Sequence, residues 1–296
     1  MRTNNVKDIS IVTVNYNGWK DTCELIESLN DVIRSVTYEI IVVDNASKGD
    51  DVKILRERFP DIRIIESQVN LGFAGGNNLG IREAEGCYIF LLNNDTIVRE
   101  DGFDKLIERF ETKPEIGVVC PKIKFIEPGN PIQFAGYTTL SAITLRNSLI
   151  GFGEADKLQY DAPHISPYAH GAAMMIKRDA IEHAGLMPEC YFLYYEELDW
   201  SERIKEAGYE IWYEPQCYII HKESRSTGQD SPLRTYYLTR NRLLFARRNR
   251  KGVLRVMSYA YQVFLSLPVN LYRFSKKGRS DLRQAAIKGV KDFFYS

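Results

Sequence analysis

Five short clusters in this chain hold the residue types that do chemistry. In Leu91-Leu92-Asn93-Asn94-Asp95-Thr96, a hydrophobic run delivers two amides and a carboxylate to one point. Asp95 there can bind a hard divalent cation through oxygen, and the cation would bridge a diphosphate. The same triplet also suits an ordinary turn. In Tyr194-Tyr195-Glu196-Glu197-Leu198-Asp199-Trp200, three carboxylates fall within four residues beside aromatics. On a helix, Asp199 and Arg203 form an i,i+4 pair with Glu196 on the same face. Glu197 then points about 200° away from Asp199 and is the freer of the two to act as a general base, although an acidic helix start has the same look. His221 closes the apolar run Ile219-Ile220 and continues into Lys222-Glu223-Ser224; it can ligate a metal through one ring nitrogen or simply hold a hydrogen bond. Asp44, with Asn45-Ala46-Ser47 after it, can accept from a base or ribose, or cap a helix. Leu71-Gly72-Phe73-Ala74-Gly75-Gly76-Asn77-Asn78-Leu79-Gly80 allows close backbone approach to a phosphate, but its spacing is not that of a dinucleotide fingerprint.

These residues need elements to hold them. Apolar β-type runs at Ile9–Val14, Tyr38–Val43, Ile62–Glu66 and Tyr88–Leu92 alternate with helical patterns at Lys20–Ile33, Asp50–Phe59 and Gly75–Glu85. Such alternation predicts an α/β fold with a mostly parallel sheet and helices on both faces. Asn15-Tyr16-Asn17-Gly18, Asp44–Ser47 and Asn93–Asp95 follow strands, so they are predicted to converge along the carboxyl edge where open α/β sheets bind ligands. Beyond residue 110 the alternation weakens. Gly117–Cys120, Ile123–Phe125, Ala172–Ile176, Ile211–Tyr213 and Tyr218–His221 read as strands, Glu197–Ala207 as a helix and Tyr236–Arg248 as a basic helix. Pro128–Asp161 is turn-rich and aperiodic.

The 296 residues, 44% hydrophobic, are enough for a substantial core and exclude a disordered chain. Five cysteines lack metal-ligand spacing and are odd in number, which argues against a disulfide framework and for a reducing compartment. The first residues show no basic-then-apolar leader pattern, so a cytoplasmic protein is expected and the sequons at Asn45 and Asn94 are read as chance. Net charge is zero, but residues 1–221 balance at −13 and residues 222–296 at +13. The basic tail is therefore expected to meet something anionic. Arg240-Asn241-Arg242 and Arg247-Arg248-Asn249-Arg250-Lys251 are candidate phosphate binders. Val256–Tyr272 lacks charge and is flanked by Arg255 and by Arg273, Lys276 and Lys277; an interfacial membrane helix is the expectation, with a buried helix as the alternative. Nucleic-acid binding would rest on this tail alone, with no reader motif, and is not expected.

Six segments in this order resemble the family 2 glycosyltransferases, which have the GT-A fold, with bacterial rhamnosyltransferase-like members as the look-alikes. They are Val14–Gly18, Val42–Ser47, Asn70–Asn78, Leu91–Thr96, Phe192–Asp199 and His221. The resemblance spans roughly residues 8–250. It implies a GT-A domain over 1–250, with a nucleotide-sugar half to about residue 110 and an acceptor half after it, and a helical tail over 251–296. It places the nucleotide-sugar donor against Asn15, Asn17, Asp44, Asn45, Gly75, Asn78, Asn93 and Asn94, and Mg2+ or Mn2+ on Asp95 and His221. Asn93 stands where the family's Asp-x-Asp motif has its first Asp, so one carboxylate of that motif remains. Glu197 takes the base position, where the family has Asp, leaving the role between Glu197 and Asp199.

The implied activity is inverting transfer of a sugar, rhamnose by analogy with the look-alikes, to a hydroxyl of a growing bacterial surface glycan. The acceptor would be lipid-linked, and the enzyme peripheral on the cytoplasmic membrane face. Gly171-Ala172-Ala173 would let the sugar lie against backbone, and Tyr191, Tyr195 and Trp200 would supply faces for sugar rings or else pack the core. The alternative is an inactive relative that binds nucleotide-sugar or glycan. A sugar nucleotidyltransferase would need a basic glycine-rich loop after the first strand, which Asn15–Gly18 is not.

Overall fold

The computed structural model describes residues 7–222 and 231–295; Glu223 and Ser224, which follow His221, lie outside the described residues. The first half alternates as its apolar runs require: β1 (Ile9–Asn15), α1 (Trp19–Val32), β2 (Tyr38–Asp44), α2 (Asp51–Arg58), β3 (Arg63–Glu66), α3 (Gly72–Glu83) and β4 (Tyr88–Leu92). β1, β2 and β4 are buried nearly throughout, as parallel strands covered on both faces are. The chain continues through β5 (Thr96–Ile97), α4 (Phe103–Glu111), β6 (Ile116–Phe125), β7 (Ile132–Phe134), β8 (His164–Ile165), β9 (Ala173–Lys177), α5 (Arg178–Ala184), α6 (Glu196–Glu206) and β10 (Glu210–His221). One sheet in the order β3-β2-β1-β4-β9-β6-β10-β5 carries them, with β7 beside β6 and β8 beside β10. β3, β2, β1 and β4 are mutually parallel, as are β6 and β10, while β9 runs antiparallel between β4 and β6.

Two pairs of expected strands are single strands. Gly117–Cys120 and Ile123–Phe125 join across Pro121 in β6, and Ile211–Tyr213 and Tyr218–His221 join in β10. Pro121 sits opposite Glu214, where the register shifts. A bulge there tolerates a residue with no N–H to donate. Helix α4, absent from the sequence-based expectation, buries Phe103, Leu106 and Phe110 at helical spacing. The turn-rich stretch 128–161 is largely irregular, with β7 as its one strand.

After β10 come α7 (Pro232–Asn249), α8 (Gly252–Ala260), a π-helical turn (Tyr261–Ser266), α9 (Leu267–Lys276) and α10 (Ser280–Tyr295). Leu243, Leu244 and Phe245 of α7 and Phe293 of α10 join Tyr191, Tyr195 and Leu198 in a second apolar core beside that of the sheet. No helix among the described residues is long and apolar enough to cross a membrane.

Candidate active site

β1 lies between β2 and β4: the chain runs from β1 to β2 and β3 on one side and then crosses back to β4 on the other, the switch point at whose carboxyl ends open α/β sheets bind ligands. Asn15 and Asp44 are register partners at that end. The Asn15 amide donates to Asp44 Oδ1 (2.8 Å), Asp51 Oδ1 (3.0 Å) and Ser47 Oγ (3.1 Å), and its oxygen accepts from Thr22 Oγ1 (2.7 Å). Asn15 is fully buried and all its polar atoms are engaged. The sequence-based expectation of a donor contact is therefore corrected: Asn15 is the tie between two loops. The loop it ties presents Asn17, exposed and left-handed at φ 53°, whose N–H reaches Ser47 Oγ (2.8 Å) and whose Oδ1 accepts from Lys48 N (2.8 Å). Asp44 is itself buried at the end of β2, its Oδ1 held by Asn15 and its Oδ2 accepting from Ser47 N (3.0 Å). Asn94 donates to Thr22 Oγ1 (3.1 Å). The three strand-end clusters do meet.

The glycine-rich segment works differently from the expectation. Gly75, Gly76 and Gly80 sit inside α3, where a Cβ would meet Leu71 at 2.6 Å, Val14 at 3.0 Å and Val12 at 2.3 Å respectively. Gly76 and Gly80 thus let the helix lie close on β1, and Gly75 serves the helix's own packing rather than a phosphate. At Gly72, φ is +71° and a Cβ would lie 2.1 Å from Phe192 O, so only glycine fits where Phe73 N–H joins that carbonyl (2.9 Å). Asn45 is likewise internal, holding Asn70 Oδ1, Gly72 O and Leu71 N. Asn78 is buried against Met187 O, Met187 N and Glu189. Gly75, Asn45 and Asn78 are therefore scaffold, not donor contacts.

Asp95 and His221 are brought together by sheet geometry. β5 and β10 pair antiparallel with His221 opposite Thr96, and Lys222 N–H bonds Asp95 O (2.9 Å). His221 Nε2 lies 3.1 Å from Asp95 Oδ1, with both side chains buried. Gln133 Oε1, 2.8 Å from Nδ1, takes the proton on that side. That leaves a ring nitrogen facing a carboxylate oxygen, a pairing that a proton or a cation satisfies. No group of three or more His, Cys, Asp or Glu suited to a metal occurs among the described residues. The donor set is one oxygen and one nitrogen, which suits an ion that keeps substrate phosphates and water as its other ligands. Asn93 is half-buried beside them, its N–H on Ala172 O (2.9 Å).

The carboxylates at the start of α6 have three different fates. Asp199 is 1% exposed and accepts from Arg248 Nε (2.6 Å), Tyr191 Oη (2.8 Å) and Asn249 (3.1 Å). The expected pair with Arg203 does not form; that guanidinium binds the carbonyls of Ala184 and Leu186 instead. Asp199 is thereby corrected from candidate base to buried ion-pair partner. Glu196 is buried with Oε2 lacking a partner among the described residues, and burial pushes its carboxyl well above the usual range. Glu197 is half-buried, and burial raises it to about 7, with the N–H groups at the helix start pulling the other way. Its charge in turn raises the Tyr137 hydroxyl, after burial. The Tyr137 ring stacks on His170 (6.0 Å, 15°), and burial with the nearby His221 pushes His170 down to about 3. Glu197, Tyr137, His170, His221 and Asp95 thus follow one another along one wall.

Sequence reasoning missed what holds this wall. Tyr194 and Tyr195 are both left-handed, at φ 69° and 79°, which costs about 1–3 kcal/mol for each such residue. Asn241 of α7, fully buried, donates to Leu193 O and Tyr194 O, both at 2.8 Å. Arg242 binds the Tyr195 hydroxyl (2.8 Å), which donates to Leu145 O (2.8 Å). The expected phosphate binders Asn241, Arg242 and Arg248 are therefore clamps on the acidic segment. Tyr191, Tyr195 and Trp200 are buried and do not face a sugar. The sequence signal was polar residues inside the apolar periodicity of α7.

Comparison with known proteins agrees with this architecture. The sequence model of Glycosyl transferase family 2 matches residues 10–185. The low-salt glycan biosynthesis hexosyltransferase Agl10 of Haloferax volcanii is 29% identical over 249 residues, covering 80% of this chain and 75% of that one. The N-acetylglucosaminyl-diphospho-decaprenol L-rhamnosyltransferase of Mycobacterium tuberculosis is 21% identical, covering 64% and 68%. The mannosyltransferase PcManGT of Pyrobaculum calidifontis, solved with GDP-Man and Mn2+, superposes with a TM-score of 0.59 at 14% identity, covering 99% and 88%. With this sheet order and a family match over more than half its length, the chain is a GT-A-fold enzyme that belongs to glycosyl transferase family 2.

Proposed function

We propose that the enzyme inverts the anomeric centre of a nucleoside-diphosphate sugar as it transfers the sugar to a hydroxyl of a surface or cell-wall glycan. The observation that carries this reading is Glu197, a carboxyl at the start of α6 whose affinity for protons burial raises to about 7, on the same wall as Asp95 and His221. A hydroxyl is a poor nucleophile until a base takes its proton, and Glu197 is suited to that. The acceptor oxygen bonds to the anomeric carbon as the bond to the diphosphate oxygen breaks on the opposite face. The proton passes to Glu197, and the nucleoside diphosphate leaves with the bonding pair. Asp44 and the loop bearing Asn17 receive the nucleoside, and Asn93 and Asn94 face the diphosphate. Asp95 and His221 would hold Mg2+ or Mn2+, whose chemistry when bound is to stabilise charge on the leaving diphosphate. Neutral His170 adds no competing positive charge beside them.

The relatives' names favour a glycan acceptor, and the decaprenol-linked substrate in one of them favours a lipid-linked one. Rhamnose remains the donor sugar of this reading, and the cytoplasmic membrane face its place of action. The test is release of nucleoside diphosphate from a panel of nucleotide-sugars with Mn2+ and polyprenyl-linked acceptors. Turnover is expected to stop with EDTA and in Asp95→Ala, and Glu197→Gln is expected to bind donor without transfer. Full turnover without metal would remove the metal role, and normal turnover of Glu197→Gln would remove the base.

A further inference from the structure

The helical run after α7 sets a buried polar stripe beside Tyr259 and Val263, which pack on the second apolar core. In that stripe Ser258 donates to Ile143 O (2.8 Å), Gln262 to Thr144 O (3.0 Å), and Ser266 accepts from Arg146 (3.1 Å). All three are buried. A spacing of four drifts around a 3.6-residue helix. The wider π-helical turn, placed just before Pro268, which has no N–H for the carbonyl of Phe264, keeps the three in line. The other side displays Val253, Val256, Met257, Phe264, Leu265 and Val269, with Phe264 75% and Val253 73% exposed. A surface helix ordinarily does the reverse, and a contiguous apolar face of this kind marks an interaction site.

The surrounding charge identifies what covers it. Residues 231–280 contain twelve Lys and Arg and no Asp or Glu. Lys251 ahead of the face and Arg273 and Lys276 at its far end are exposed. A second copy seated here would bring like charges together, whereas anionic headgroups complement them while acyl chains take the apolar side chains.

We propose that α8, the π-helical turn and α9 lie flat on an anionic lipid bilayer, with Val256 and Phe264 at the acyl boundary. This deepens the lipid-linked acceptor reading above. The loop that receives the polar stripe, residues 143–146, also accepts the Tyr195 hydroxyl at Leu145 O. The docking face is therefore one loop away from the segment that carries Glu197.

The test is co-sedimentation of the full chain with phosphatidylcholine vesicles and with vesicles of equal parts phosphatidylcholine and phosphatidylglycerol. Binding to the anionic vesicles that weakens with salt is expected. The double variant Val256→Glu, Phe264→Glu should bind them at least about tenfold less with an unchanged Tm, since both residues are exposed. No binding to anionic vesicles, or equal binding by the double variant, overturns the proposal. So does a dimer at sedimentation equilibrium that the double variant dissolves, which would assign the face to a second copy. The assay uses no sugar, so it fails independently of the transfer reaction.

Discussion

Glu197 makes a quantitative demand on the pH dependence of turnover. Burial raises its carboxyl to about 7. As a base it must be ionised, so the rate rises with pH. At an affinity near 7, about 1% of it is ionised at pH 5 and about 90% at pH 8, a rise of roughly 90-fold. A carboxyl at its ordinary value near 4.5 would give a rise of only about 1.3-fold. The assay is kcat for nucleoside diphosphate release at saturating donor and acceptor from pH 5 to 8, with circular dichroism confirming the fold throughout. The same burial disfavours the ionised folded state. A carboxyl raised in the folded protein contributes stability below its unfolded value, and that stability is lost as pH rises through its folded value. Glu197→Gln, which cannot ionise, should therefore be more stable than the parent at pH 8 by up to about 3 kcal/mol, with the gain shrinking towards pH 5. A flat profile from pH 5 to 8 in a folded protein would refute the assignment of Glu197 as base.

Three further outcomes follow from the packing around this residue. Asn241→Asp replaces the donor to Leu193 O and Tyr194 O with a carboxylate; kcat is expected to fall with little change in donor KM, and the acid limb of the pH profile to move down as Glu197 gains water. Loss of Tm with an unmoved pH limb would make Asn241 purely structural. Arg248→Met strands the buried Asp199 carboxylate and should destabilise the fold by about 3–5 kcal/mol in urea denaturation. Gly80→Ala places a methyl 2.3 Å from Val12 and should cost about 1–3 kcal/mol by overpacking, seen as a lower Tm.

Four of the six polar segments were legible because each follows one of the strands β1 to β4, and parallel strands must deliver their carboxyl ends to one edge; Phe192–Asp199 follows α5 instead, and His221 ends β10. That argument covered β1 to β4 and carried Asp44, Asn94 and Asp95 with them. It did not separate ligands from scaffold. Asn15 and Asn78 are the right residue type beside the right strands, yet their amides are engaged inside the protein. Nor did spacing reveal that Pro121 could sit within a continuous β6, because the register shift that permits it lies in β10, ninety residues on.

Local periodicity and residue chemistry were enough to read the α/β alternation, to bring Asn15, Asp44 and Asn94 to one strand-end edge, and to mark Asp95, Glu197 and His221 as candidates. Long-range packing settled the rest: Asp199 pairs with Arg248, Asn241 holds two left-handed tyrosines beside Glu197, and α8 to α9 bury Ser258, Gln262 and Ser266 while exposing Val253, Val256 and Phe264. Those outcomes depend on which side chain from a distant element arrives first at a buried charge or carbonyl. Spacing along the chain carries no record of that contest.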